Sequence, residues 1–550
     1  MEKLLEITVS QALRDRAAKN SDKEFIVFPN SGIRYTFGDI DKKADVLAKG
    51  LLAAGFKKGD HIGIWAHNIP EWAPLFYAIA RAGFVTVPVN VNCKHKEIAY
   101  IIGHADIKGL FFIDKYRGTD LAQILYEVIP ELKNSTPGAL QSAQFPFLKL
   151  VANMGISGYE GMYTLEDIAN MGSSIDAAAL QKAEAEVANT DIVAIMYTSG
   201  TTGFPKGAML THRGMLNSAY LAYRPGAMPD ENAIVFNPLP YFYITALSEG
   251  LLGGLIFGYK IVGIEVFDPI LSLEFIRKEN CTWIFGVPSV FMALIGQPRY
   301  DEFDLGKVKH ICIGGTNCPA ELLKNVLVKM KLESLYHVYG LTELSPFITD
   351  YVLKDPSDTK AASVGNPLPG VEVSIRNNDN NECPLNVEGE ICVRGHGVMK
   401  GYYKMEEATR EVIDADGWLH TGDLGHLIED GYLMIGGRKK EIIIRGGENV
   451  YPKEVENLLL TMPGIHDAQV AGIPSEKYGE EVAAFVILKP GQTAAEDEII
   501  NFCRERISFF KAPQYVFFVE SFPLSGNGKV QKFMLSQMGM KMLKEKGIVL

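Results

Sequence analysis

Tyr197-Thr198-Ser199-Gly200-Thr201-Thr202-Gly203-Phe204-Pro205-Lys206-Gly207 is the stretch whose reading decides the fold. The apolar run Asp191-Ile-Val-Ala-Ile-Met196 before it predicts a strand, and Thr211 is placed to cap a helix starting at His212. The order strand, polar loop, helix is therefore expected. Three glycines let the loop aim backbone N–H groups at an anion, the hydroxyls of Thr198, Ser199, Thr201 and Thr202 add donors, and Lys206 supplies a compact positive charge. That composition suits phosphate. It is not the Walker loop, because Gly207 follows Lys206 where that motif requires a magnesium-binding hydroxyl. On composition alone a Gly/Thr-rich linker competes with the phosphate loop, and the other motifs decide between them.

At 550 residues the chain is long enough for two to four domains, each burying its own core. Hydrophobic residues at 47% and charged residues at 22% are the balance of a globular chain. The net charge of -12 argues against a nucleic-acid partner, whose binding rests on clustered Lys and Arg, while leaving room for a local basic groove. Cys93, Cys281, Cys312, Cys318, Cys383, Cys392 and Cys503 form no C-x-x-C pair, so neither a zinc site nor a disulfide framework is indicated and a reducing cytoplasm is expected. The first residues lack the apolar core of a signal peptide. The most apolar region, Ile244 to Phe267, is broken by Glu249, Lys260, Glu265 and five glycines, which reads as buried core and not as a transmembrane segment.

Along the first quarter, helices at Val9–Lys19 and Lys42–Ala54, a strand at His61–Trp65 and a third helix from Asn68 alternate in the manner of a parallel sheet covered by helices. Residues 130–185 are rich in small and polar types and read as variable surface. Phe285-Gly-Val-Pro-Ser-Val-Phe291 and His310-Ile-Cys-Ile-Gly-Gly-Thr316 each read as a strand then a turn, where paired glycines allow a flat ring to approach the backbone. The last hundred residues read as a small α/β unit. Its helices are expected at Glu454–Thr461 and Glu496–Ile507, with strands at Ala468–Gly472, Val482–Leu488 and Val516–Val519.

Five motifs in this order, spanning about residues 10 to 535, resemble those of the adenylate-forming enzymes, the superfamily of acyl-CoA synthetases, firefly luciferase and peptide-synthetase adenylation domains. The resemblance implies an α/β fold. Its large N-terminal domain, 1–437, has parallel-rich sheets flanked by helices and a small barrel-like subdomain; a hinge at 438–441 leads to a smaller mobile C-terminal α/β domain, 442–550. It implies that Thr198 to Lys206 hold the phosphates of ATP and that Gly315 and Thr316 lie by the adenine. In Leu335-Tyr-His-Val-Tyr-Gly-Leu-Thr-Glu343, Tyr339 and Gly340 join the nucleotide site, Thr342 bonds a phosphate oxygen and Glu343 meets the Mg2+ carried by ATP. By the same resemblance Asp423 and Arg438 contact the ribose, Lys440 is the hinge, and Lys529 in Pro523-Leu-Ser-Gly-Asn-Gly-Lys529 is the adenylation lysine, with Lys532 left in solvent. Arg445, Gly446, Gly447 and Glu448 would approach the CoA thiol, with Lys511 as a further CoA contact.

For the acyl pocket the resemblance implies Tyr241, Tyr243, Gly314, Gly340 and Leu341, with Tyr243 standing where the family usually has His. Tyr243 reads equally as aromatic core. Members restricted to acetate carry a Trp where Gly340 stands, so an empty floor and an acid larger than propionate are expected, either a medium-chain fatty acid or a compact cyclic or aromatic acid such as benzoate. The implied reaction joins ATP and the acid as acyl-AMP with release of pyrophosphate, then transfers the acyl group to CoA. The alternatives are a ligase loading a carrier protein, a luciferase-like oxygenase, or a non-catalytic nucleotide-binding scaffold, which would be expected to lack Lys529 or Glu343. The acid, the direction of the reaction and the choice between monomer and homodimer are not written in these motifs.

Overall fold

A computed structural model describes residues 3–155, 157–198, 205–222, 229–316, 318–524 and 529–548. The chain packs into two compact units, residues 1–372 with 393–419, and residues 373–392 with 420–550.

The first unit is built on two parallel-rich sheets. In the nine-stranded sheet, Ser334–Gly340, His310–Gly314, Trp283–Gly286, Ile234–Asn237, Lys260–Gly263 and Glu24–Phe28 run parallel, and antiparallel strands close both edges. The seven-stranded sheet runs Lys206–Thr211, Ile192–Thr198, Val85–Val89, His61–Trp65, Ile107–Phe112, Leu150–Asn153, Tyr163–Thr164, all parallel except the first pair. Strands such as Val85–Val89 are buried at every position, as a sheet covered on both faces requires.

Local signals explain most element starts. Thr36 and Asp39 form a reciprocal capping box, so the second helix runs Phe37–Ala53 and begins before the expected Lys42. The third helix begins at Trp72, not Asn68, because the Asn68 side chain is taken up by Leu239 and Tyr241 of a distant segment. Leu150–Asn153, inside the segment read as variable surface, is a fully buried strand beside Ile107–Phe112. Four residues are too few to show a period. Ile244 to Phe267 is core: a π-helical stretch, Ala246–Leu252, is buried throughout and leads into the helix Gly253–Phe257. Among the described residues no helix is long and apolar enough to cross a membrane.

The second unit carries a five-stranded sheet in which Gly479–Leu488 lies between Ile465–Ser475 and Ile443–Arg445, with Tyr515–Phe518 also pairing to it. Alternate residues of the central strand feed two cores. Val482, Ala484 and Val486 pack with Val455, Leu459 and Ile499, while Ala483 and Phe485 pack with Phe517, Leu535 and Leu543 from the final helix Lys532–Glu545. A four-stranded sheet, Val371–Arg376, Gly389–Gly395, Leu419–Leu427 and Leu433–Arg438, stands where a barrel-like subdomain was expected.

Candidate active site

The loop after Thr198 does not run into a helix. Lys206–Thr211 is a strand pairing antiparallel with Ile192–Thr198, in register from Thr198 opposite Lys206 to Ala194 opposite Leu210, with the register shifting before Ile192 meets Thr211. The helix His212–Leu221 follows only then, with Thr211 as its cap accepting from the Gly214 N–H at 2.9 Å. The residues either side of the loop thus stand opposite each other in a strand pair, and a six-residue strand separates the loop from the helix. Ser199, Gly200, Thr201 and Thr202 lie outside the described residues.

Both roots of the loop are anchored. The Tyr197 hydroxyl sits 2.7 Å from His104 Nδ1, and Tyr100 donates to the Pro205 carbonyl at 3.1 Å. Along the hairpin's other edge runs the segment Lys400 to Tyr403: Met209 donates to the Gly401 carbonyl at 2.9 Å and Tyr403 to the Gly207 carbonyl at 2.8 Å. The neighbouring Met399 N–H donates to the Glu343 carbonyl at 2.8 Å. Backbone bonds thus stitch together three stretches that are far apart in sequence.

Their side chains converge on Glu343. Tyr402 Oη donates to Glu343 Oε1 at 2.9 Å, Thr198 Oγ1 lies 3.4 Å from the same oxygen, and Lys206 Nζ stands 5.0 Å over the Tyr402 ring. Burial and the adjacent Glu343 carboxylate push the Tyr402 phenol far above its ordinary range, so it stays a donor. Both described contacts use Oε1. Among the described residues no group of three or more His, Cys, Asp or Glu could hold a metal. A lone carboxylate of this kind fits Mg2+ arriving with a nucleotide, because that ion keeps waters and phosphate oxygens as most of its ligands. Tyr402 is not among the residues the sequence singles out, although it stands in the run Gly401-Tyr402-Tyr403.

Thr342 and Glu343 form a short 3-10 turn, Thr342–Leu344, beyond the strand that ends in Tyr339 and Gly340. Here the structure corrects the expected empty floor. A Cβ on Gly340 would stand 2.0 Å from the Pro346 carbonyl oxygen and 3.2 Å from Phe347 Cα. The glycine is required because the chain folds back on itself, as Leu341 N–H donates to Pro346 at 2.9 Å. Gly314 ends its strand buried, with a Cβ there meeting the Val338 carbonyl oxygen at 2.5 Å. Gly315 adopts φ +80 and, with Thr316, is exposed at the carboxyl end of the sheet, where nucleotide sites of open α/β sheets lie. Tyr241 is buried against Trp72, with ring centroids 5.5 Å apart, whereas Tyr243 is half-buried and accepts from Asn90 Nδ2 at 3.2 Å. Leu341 is half-buried.

In the second unit, Asp423 and Arg438 face each other across paired strands, Arg438 Nε lying 3.0 Å from Asp423 Oδ1. Lys440 is exposed at the centre of the 3-10 turn Lys439–Glu441. Arg445 is turned inward: its Nη2 lies 3.3 Å from Glu481 Oε1 and its Nη1 donates to the Phe510 carbonyl at 3.2 Å. Gly446 and Gly447, with φ +60 and +88, make the tight turn between Ile443–Arg445 and Glu448–Val450. Lys511 bonds both oxygens of Glu454 at 2.8 Å. Lys529 is exposed just inside the Leu524–Val530 bridge. Lys532, expected in solvent, is instead only 16% exposed and ion-paired to Glu456 and Glu441.

Comparison with known proteins places the chain in a family. Residues 13–403 match the AMP-binding enzyme family and residues 454–529 the AMP-binding enzyme C-terminal domain. The chain belongs to the AMP-binding, adenylate-forming enzymes. It is 38% identical over 543 residues to a Bacillus subtilis protein called putative acyl-CoA synthetase YngI, covering 98% of this chain and 99% of that one. It is 35% identical over 539 residues to the mitochondrial medium-chain acyl-CoA ligase ACSF2 of Danio rerio, covering 98% and 89%. Among solved structures, ATP-bound MatB from Rhodopseudomonas palustris superposes with a TM-score of 0.81 at 27% identity, covering 98% of this chain and 100% of that one.

Proposed function

We propose that the chain is an AMP-forming acyl-CoA synthetase for a carboxylic acid larger than propionate, a medium-chain fatty acid or a compact cyclic or aromatic acid. The observation that carries the chemistry is the meeting of the Thr198 and Tyr402 hydroxyls on the Glu343 carboxylate, with the Lys206 ammonium 5.0 Å over the Tyr402 ring. With Gly340 taken up by backbone packing, the size of the acid rests on relatives such as the medium-chain ligase ACSF2.

A carboxylate does not acylate a thiol, because its oxygen is a poor leaving group. Its oxygen first attacks the α-phosphorus of ATP, the bond to the β-phosphate oxygen breaks, and pyrophosphate leaves. Negative charge grows on phosphate oxygens in that transition state, and Lys206, Thr342 and Lys529 are the groups we assign to meet it. Mg2+, when bound with ATP beside Glu343, supplies charge neutralisation to the departing phosphates. Asp423 can accept both hydroxyls of the ribose, with Arg438 orienting its carboxylate. The CoA thiolate then attacks the acyl carbon of acyl-AMP and AMP departs. A swing about Lys440, with Gly446, Gly447 and Glu448 lining the thiol's approach, fits this second step. The inward pairing of Arg445 and Lys511 makes both supports of the lobe first and CoA contacts second. All seven cysteines are free thiols, which supports a reducing compartment, and we propose the cytoplasm.

The test is pyrophosphate release over a ladder of acetate, hexanoate, decanoate, palmitate, benzoate and cyclohexane carboxylate, with AMP release measured with and without CoA. Turnover peaking at hexanoate, decanoate or benzoate and dependent on CoA is expected. Palmitate far above the others overturns the acid class, and acyl-AMP that passes to a carrier protein but not to CoA overturns the acceptor.

A further inference from the structure

Lys532 opens the final helix, three residues beyond Lys529. A cation suits that end of a helix badly, because the unpaired N–H groups there already carry partial positive charge. It is nevertheless held. Its Nζ lies 2.6 Å from Glu456 Oε1 and 3.4 Å from Glu441 Oε2. Glu456, on the helix Pro452–Leu460, is 4% exposed, and the same Oε1 accepts the Val470 N–H at 3.0 Å from the sheet. Glu441 is the last residue of the turn that carries Lys440. One ammonium thus joins the foot of the Lys529 loop, the buried face of the helix Pro452–Leu460 and the turn expected to be the pivot, all within the second unit.

The preceding residue of that turn is tied as well. Lys439 Nζ lies 3.1 Å from Glu390 Oε2, and Glu390 also accepts the Gly422 N–H at 3.1 Å and faces His420 Nδ1 at 3.3 Å. Burial raises the Glu390 pKa, but the bonds from Lys439 and His420 outweigh it and hold the group below the ordinary carboxylate value, so it is anionic at neutral pH. Lys440 is therefore bracketed by one ion pair on each side. Among the described residues the foot of the Lys529 loop is closed by the Leu524–Val530 bridge and by the Gln531 N–H to Pro523 bond at 2.9 Å. Lys532 is the next anchor along the chain.

We infer that Lys532 is a positioning residue for adenylation: through Glu456 and Glu441 it makes the Lys529 loop and the Lys440 turn one mechanical piece, so that the amine arrives in register when the turn is set. This rests on the proposed roles of Lys529 and Lys440. Lys532 touches neither substrate nor phosphate. Its loss unties the chain just after Lys529 from the turn and slows the step that uses Lys529, leaving the thioester step, which does not.

The experiment compares wild type, Lys532→Met, Lys532→Arg and Glu441→Gln with the best acid of the ladder, measuring single-turnover pyrophosphate release and, separately, thioester formation from the preformed acyl-AMP. For Lys532→Met the expected result is a loss of roughly 10- to 100-fold in acyl-AMP formation, since small misplacements of a catalytic group are that costly. KM for ATP and acid and the thioester step should stay within about twofold, and Lys532→Arg should restore most of the rate. Because Lys532→Met leaves the buried Glu456 carboxylate with only Lys453, 3.9 Å from its other oxygen, and can unfold the lobe, Glu441→Gln decides the matter in a folded protein. It should slow adenylation roughly three- to tenfold at low salt, with the gap closing at high salt. Adenylation at the wild-type rate in a folded Lys532→Met, or equal slowing of both steps in Glu441→Gln, overturns the inference alone. A wild-type protein that releases no pyrophosphate with any acid overturns the parent proposal instead.

Discussion

Replacing Gly340 by Ala separates two accounts of the acyl site. If the glycine left an empty floor, one added methyl would only trim the pocket, and the longest acids would suffer while hexanoate and overall stability were spared. The structure demands something else. The new Cβ would lie 2.0 Å from the Pro346 carbonyl oxygen, where ordinary contact begins at 3.4 Å, so one segment must give by more than an ångström. The obstructing atom is backbone, held by the Leu341 N–H to Pro346 bond and by the pairing of Gly340 with Phe347, so it cannot rotate aside. Overpacking of this kind costs about 1–3 kcal/mol. Displacing Thr342 and Glu343 by a comparable distance costs roughly 100-fold in rate. A lowered urea midpoint and a near-uniform loss of pyrophosphate release across all acids are therefore expected for Gly340→Ala. An unchanged midpoint with a selective loss of the longer acids would refute the backbone account and restore the empty floor.

Arg445→Ala should destabilise the second unit by about 3–5 kcal/mol, because it leaves the buried Glu481 carboxylate without its partner; an unaltered unfolding midpoint with a raised KM for CoA would instead make Arg445 a ligand contact. Lys529→Ala should cost acyl-AMP formation about 3–4 kcal/mol while sparing thioester formation from preformed acyl-AMP, and equal loss of both steps would count against alternating poses of the small lobe. His212 is buried, and burial depresses its pKa from 6.5 to about 4 as its Nδ1 accepts from the Val9 N–H at 3.2 Å. A folded pKa below the unfolded one means its contribution is full above pH 6.5 and drains away as pH falls toward 4. Urea midpoints measured across that window should fall less steeply in His212→Gln than in wild type, and parallel slopes would sink the assignment.

Much of the site was legible because its signals are local. The proposed site residues Thr198, Thr342, Glu343, Asp423 and Lys529 stand among glycine-rich or motif neighbours, and the Thr211 cap and the strand His61–Trp65 were readable from a handful of adjacent residues. Tyr402 was not, because its hydroxyl matters only once the segment Lys400 to Tyr403 lies along the hairpin. The strand Leu150–Asn153 was too short to show a period, and its burial is conferred by neighbours distant in sequence.

Residue order by itself determined the chemistry class, since the glycine-rich stretch from Thr198 to Gly207, the Thr342-Glu343 pair and the lysine of Gly526-Asn-Gly-Lys529 are properties of short stretches. Only the tertiary structure decided what each residue is available to do. Gly340 is filled by a returning carbonyl, Arg445 is turned onto Glu481, and Lys532 is drawn out of solvent between two glutamates. In each case the controlling atom belongs to a part of the chain that no local pattern can see, and a side chain spent on an internal partner is not free for a ligand.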